Sequence, residues 1–224
     1  PVTGGNVSFY NESKGLAVFP TPVVGMVGRI APPLRVLTPG WKNGGDRIFL
    51  ASPPSGGEQH LGGSIFAQLW GPDARAETDQ LCDEREPGPV VGPCPWIDLE
   101  FERALQQFVL EANRRGLINA AHDLAEGGLA VALAESCLAS TGGLGASIDA
   151  PSAECPAAWL FSEAPSRAVV ACEGPNTGEL CNLAEDFGIP LALLGQVGGD
   201  RLTITGLLDM EVSTIRRTYE TPPF

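Results

Sequence analysis

Three short stretches carry side chains able to do chemistry together. The first is Gly4-Gly5-Asn6-Val7-Ser8. Its polar and apolar residues alternate with the period of a strand that has one buried face, so Val7 and Phe9 point one way and Asn6 and Ser8 the other. At a rise of roughly 3.3 Å per residue, Asn6 and Ser8 lie about 7 Å apart on that face, a spacing that lets two groups meet two parts of one ligand. Two glycines ahead of them leave the backbone N–H groups open to close approach by a phosphate. An amide oxygen such as that of Asn6 is a hard ligand of the kind Mg²⁺ takes. The alternative reading of the same residues is a turn followed by an ordinary half-buried strand.

The second stretch is His122-Asp123-Leu124-Ala125-Glu126. Asp123 and Glu126, three residues apart just before an apolar run, fit a capping box, in which both side chains satisfy free N–H groups at a helix start. The functional alternative is phosphate at that helix N-terminus, with His122 as donor or base. Two carboxylates would repel such a ligand unless a cation came between them. The third stretch, Ser162-Glu163-Ala164-Pro165-Ser166-Arg167, is read as a loop whose Glu163 and Arg167 form a surface ion pair of small worth.

Several classes are excluded by what is missing. The sequence has no GxSxG elbow and no triad pattern around its two histidines, His60 and His122. It has neither a GxxxxGK[ST] loop nor GxGxxG with a following acidic residue. The six cysteines form no CxxC pair and are expected as free thiols, Cys137 and Cys172 as small core residues; only Cys82 with Cys94 offers a pairing. A formal charge of −13 with 14 Lys and Arg argues against a nucleic-acid surface, which needs clustered basic side chains. No apolar run approaches the roughly 20 residues of a membrane span and no signal-like segment opens the chain, so a cytoplasmic protein is the expectation.

The elements that must position these residues follow from periodicity. With 224 residues, 43% of them hydrophobic, the chain can bury one substantial core and a fragment of a second. Residues 23–30, VVGMVGRI, read as a buried strand, and the proline-rich 31–40 as a linker marking a boundary. Beyond it come a strand at 46–51, a short helix capped by Ser64, and a helix from Asp98 to about Arg115 with Leu105, Phe108, Val109 and Ala112 on one face, ended by Gly116. A strand or turn at 118–124, a helix at 127–138, strands at 142–148 and 167–172 and a helix at 177–187 follow. Strands 192–197 and 201–205 read as a closing hairpin about Gly198-Gly199, and 211–217 as a last helical turn. The pattern is α/β (α+β): a mixed β-sheet covered by helices. Residues 71–96, charged and aperiodic, read as a solvated insertion.

GGNVSFYNES, PTPVVGMVGRI at 20–30 and AHDLAEGGLAVALAES at 121–136 occur together in an order and at a spacing that resemble the C-terminal part of phosphoribosylformylglycinamidine synthases, in their separate-subunit form. The resemblance covers essentially the whole chain except the insertion. It implies a superfamily fold shared with aminoimidazole ribonucleotide synthetase, with residues 1–38 as the last strands of an N-terminal half-unit and 39–224 as a C-terminal half-unit. It implies an ATP-dependent ligase that activates the amide oxygen of formylglycinamide ribonucleotide as an iminophosphate, which ammonia then displaces to leave the amidine. Implied partners are a glutaminase subunit, which supplies the ammonia, and a small accessory subunit; implied cofactors are Mg²⁺ and ATP. By the same resemblance Gly5 contacts ATP, Asn6 binds Mg²⁺ and Ser8 touches substrate; His122, Asp123 and Glu126, read from the helix start and not from the resemblance, are the candidate secondary site. The family's catalytic histidine, nucleotide-contacting lysine and most acidic Mg²⁺ ligands have no counterpart here. A chain that begins inside a motif is expected to be a fragment or isolated domain, inactive without the missing N-terminal part. The 162–167 loop corresponds to one that contacts substrate through Glu-Ser-Gln in the other half of the full enzyme. Here the run is Glu-Ala-Pro, which removes a hydroxyl and an amide. A noncatalytic binding or assembly domain of the same superfamily, or another member such as selenophosphate synthetase, are the alternatives.

Overall fold

The structure, a computed structural model, describes residues 3–5, 12–13, 15–17, 23–30, 36–54, 61–70, 95–151 and 155–221. The chain divides into two units, 1–31 and 32–224.

In the first unit, β1 (Glu12–Ser13) pairs antiparallel with β2 (Leu16–Ala17). Gly15, at φ 78°, makes the turn between them, a conformation that costs glycine little. Residues 6–10, the expected first strand, lie outside the described residues. Residues 23–30 do not form the expected buried strand: they lie in neither helix nor strand, and Val23, Val24, Met26 and Val27 are exposed. High β-propensity supplies no hydrogen-bonding edge by itself, and none of the chain's described strands offers one here.

The second unit is built on a seven-stranded mixed sheet in the order β4-β6-β3-β7-β5-β8-β9. In chain order its elements are β3 (Arg47–Ala51), α1 (Ile65–Trp70), α2 (Leu99–Arg115), β4 (Ala120–Asp123), α3 (Gly128–Leu138), β5 (Ala146–Ile148), α4 (Pro156–Phe161), β6 (Ala168–Cys172), α5 (Thr177–Asp186), β7 (Leu191–Val197), β8 (Arg201–Ile204), β9 (Leu208–Glu211) and α6 (Val212–Glu220). The α+β class expected from the sequence is the one found.

Strands β3 and β6 feed two cores at once. Ile48, Leu50, Val169 and Ala171 pack with Leu129 and Leu133 of α3 on one face. Phe49, Ala51, Val170 and Cys172 pack with Leu105 and Phe108 of α2 and Leu180 and Leu183 of α5 on the other. Their sequences, RIFLA and AVVAC, are accordingly apolar without alternation. The second helix forms where its caps require it. Asp98 Oδ1 accepts from the N–H groups of Glu100 (2.9 Å) and Phe101 (3.1 Å), and Gly116 closes the helix at φ 71°. Glu100 and Glu102 in its first turn and Arg114 and Arg115 in its last complement the helix dipole.

The expected hairpin of 192–197 with 201–205 is replaced by a different pairing. Strand β5 lies between β7 and β8, antiparallel to the first and parallel to the second. Glycines permit the wedge: a Cβ on Gly145 would sit 2.0 Å from Arg201 O, and one on Gly195 1.9 Å from Ser147 O. The hairpin that does form joins β8 to β9, a strand not foreseen in the sequence. Helix α6 runs further than the expected turn.

Cys137, Cys172 and Cys181 are free, the first two fully buried as expected, and burial raises the Cys137 thiol to about 11. Cys155, in contrast, is disulfide-bonded, which corrects the expectation of free thiols throughout. Cys82, Cys94 and residues 71–94 of the expected insertion lie outside the described residues. Among the described residues no helix is long and apolar enough to cross a membrane.

Candidate functional site

The end of β4 and the start of β6 are neighbours in the sheet, with Asp123 opposite Ala168 and Leu124 N–H donating to Arg167 O at 3.0 Å. Together they form the polar wall of a cleft of about 470 Å³, whose facing wall is α2. His122, Asp123, Ser166 and Arg167 stand on the first wall; Leu105 and Val109 stand on the second. Glu102 and Gln106 line the α2 side as well, so polar and apolar groups face the cleft from both walls, as small-molecule sites require.

His122 is held between carboxylates. Its Nε2 is 3.0 Å from Glu135 Oε2 on α3, and its Nδ1 is 3.4 Å from Asp123 Oδ1. To act as a base toward a ligand the imidazole would first have to leave one of these partners. Glu135 carried no signal in the sequence, because it sits seven residues beyond the start of a helix whose pattern reads only as core.

The capping box at 123–126 is not formed. Asp123 ends β4 and faces His122, Glu126 is exposed, and the residue preceding the helix is Gly127, at φ 81°. The N–H of Gly127 donates instead to Glu163 Oε1 at 2.8 Å. The same oxygen accepts from the N–H of Ile65 at the start of α1, also at 2.8 Å. One carboxylate from a distant loop thus satisfies donors at two helix starts, the task expected of Asp123 and Glu126.

Glu163 is therefore not half of a surface ion pair. Arg167 is buried, and its Nη1 donates to Ser162 O at 3.1 Å. Between them Ser166 takes φ 61°, the one left-handed non-glycine among the described residues, with its hydroxyl buried and unpartnered. Gly128, at φ 64°, lies against this loop so closely that a Cβ would meet Ser162 O at 2.5 Å. The Gly127-Gly128 pair was the sequence signal for this approach.

The structure brings His122 and Asp123 together at the cleft, and Glu126 is not among the residues lining it. Gly5 is exposed, with open space where a Cβ would be. Asn6 and Ser8 lie outside the described residues. No three His, Cys, Asp or Glu side chains gather as metal ligands among the described residues.

The fold and residues 44–206 match the family described as AIR synthase related protein, C-terminal domain; the chain belongs to that family. Along nearly its whole length it is similar to phosphoribosylformylglycinamidine synthase subunit PurL. The Allorhizobium ampelinum protein is 37% identical over 221 residues, covering 98% of this chain and 27% of that one. The Moorella thermoacetica protein is 40% identical over 204 residues, covering 91% and 25%. The chain thus spans about a quarter of the length of these curated relatives. Thermotoga maritima PurL complexed with FGAR shares the fold, with a TM-score of 0.57 and 19% identity over 80% of this chain and 29% of that one.

Proposed function

We propose that this chain is the C-terminal part of a PurL-type synthetase subunit. The reaction is the ATP-dependent conversion of formylglycinamide ribonucleotide and ammonia to formylglycinamidine ribonucleotide, ADP and phosphate. The observation that carries this reading is the collinear 37% identity over 98% of the chain. Solved PurL complexes with FGAR and with ATP, and an assembly called PurLQS, supply the corresponding substrates and partners by analogy: the ribotide, ATP, a glutaminase subunit and a small accessory subunit.

Within that reading the glycine-led segment at 4–8 does the binding. Gly5 exposes its N–H to a nucleotide phosphate, and Ser8 donates its hydroxyl to the ribotide. Asn6 offers one amide oxygen to Mg²⁺, which when bound would neutralise phosphate charge. Among the described residues no group of three His, Cys, Asp or Glu side chains joins that single oxygen. The exposed apolar side chains of Val23, Val24, Met26 and Val27 support the same reading, because a run of this kind suits burial against further protein.

A second reading, a noncatalytic assembly role for residues 44–206, is favoured by one observation. Glu163 already occupies N–H groups at two helix starts, so a phosphate has to displace a carboxylate there.

The two readings separate in a reconstitution. The chain is combined with the N-terminal part of a PurL relative, with ammonia supplied directly, and ADP and amidine are measured. The first reading expects activity, and Asn6→Ala to lower it at least about tenfold, the size of a lost charge-assisted contact at a phosphoryl site. Activity untouched by Asn6→Ala removes Asn6 from the metal site; no amidine from any combination favours the assembly role.

A further inference from the structure

The geometry points to Glu163 as a positioning residue that sets the shape of the cleft, an inference that rests on the function proposed above. The polar wall of the cleft is a closed ring. From Asp123 the chain runs through the turn to Gly127, whose N–H donates to Glu163 at 2.8 Å. From Glu163 it continues through Pro165 and Ser166 to Ala168, which pairs back onto Asp123. One crosspiece spans the ring, Leu124 N–H to Arg167 O, and Arg167 Nη1 donates to Ser162 O just outside it.

Ser166 is the strained member. A left-handed backbone at a non-glycine residue is strained and persists only where its surroundings over-determine it. Its buried hydroxyl gains nothing in compensation, since it has no partner among the described residues. What holds it is the ring, and the ring is closed by the Glu163 carboxylate. With that bond cut, Ser166 can relax to negative φ, carrying Pro165 and Arg167 out of the cleft wall. Through Ile65 N–H the same oxygen also ties α1 to this wall, across 98 residues of sequence. Arg167 and Ser166 line the cleft themselves; Glu163 acts on a ligand only through them.

The test uses the natural polypeptide carrying this chain, assembled with its partner subunits. Glu163→Ala is expected to speed amide exchange at Ile65 and Gly127 at least about tenfold. It should raise KM for the ribotide or ATP about tenfold, with kcat within about twofold, as expected when a binding wall shifts by a fraction of an ångström. Glu163→Gln, which keeps an acceptor oxygen, should recover most of the loss. In a Ser166→Gly background, where strain is absent, adding Glu163→Ala should change KM less than about twofold. Should Glu163→Ala not fold, Glu163→Asp, too short to reach both amides, takes its place. Opened amides with an unchanged KM, a Gln variant as impaired as Ala, or the same KM increase in the Ser166→Gly background would each overturn the inference. If the wild-type assembly makes no amidine, the proposed function falls; the ring is then judged by exchange and by whether Ser166→Gly reduces the Tm loss caused by Glu163→Ala.

Discussion

The two ends of the central sheet solve different problems. At one end β4, β6 and β3 are covered on both faces, and every residue of AVVAC is buried. At the other end β5, β8 and β9 are covered on one face only. Ala146, Ile148, Leu202 and Ile204 point into the core, while Ser147, Thr203 and Asp209, paired across the strands, share the open face. Arg201 bridges Asp209 and Glu211 on that face, at 2.6 and 3.3 Å. The cleft opens at the doubly covered end, where the wall has helix and loop to hold it. Rigidity for a site comes from the end with two cores.

The comparison breaks most sharply with a matched pair of charges. Val170→Asp places an unpaired carboxylate between β-sheet and α2 and should cost at least about 4 kcal/mol, enough to abolish cooperative unfolding. Ser147→Asp, on the open face, should cost about 1 kcal/mol or less. Denaturant melts of both variants check this, and equal losses would show that the open face is covered. Next in size is Gly145→Ala. Its methyl would meet Arg201 O at 2.0 Å, forcing β5 out of register at the open end for about 2 to 3 kcal/mol, while Val169 and Val170 amides should keep their exchange protection.

The smallest effect lies on α2. Hydrogen bonds from Arg114, then from Arg115, hold the half-buried Glu111 carboxyl at about 2, below its ordinary 4.5. A lowered carboxylate value stabilises the fold above the ordinary value and loses that contribution as pH falls toward about 2. The Tm difference between wild type and Glu111→Gln should therefore be small at neutral pH, shrink through the interval below pH 4.5, and shrink also in about 1 M salt.

What the sequence disclosed follows the same division. Caps and faces of α2 were readable because Asp98, Gly116 and the 105–108–112 stripe act within the helix itself. The doubly buried strands were readable as unbroken apolar runs. Long-range choices were not. Asp123 and Glu126 have the spacing of a capping box, yet the donor at Gly127 is taken by a residue 36 positions away. Gly198-Gly199 has the composition of a hairpin turn, yet two strands flanking it are separated by β5. At 23–30 the β-propensity was real, but propensity cannot provide a neighbouring strand. At the cleft, His122 and Asp123 were singled out by type and Glu163 and Ser166 only as parts of a surface loop; Glu135, and what Glu163 and Ser166 do, became visible only once the loops converged.

The wedging of β5 between β7 and β8 has a kinetic corollary. Residues 191–204 are close in sequence and can zip together in microseconds, long before a strand some fifty positions upstream arrives. Such an early pair would have to reopen to admit residues 146–148 before the native order β7-β5-β8 could form.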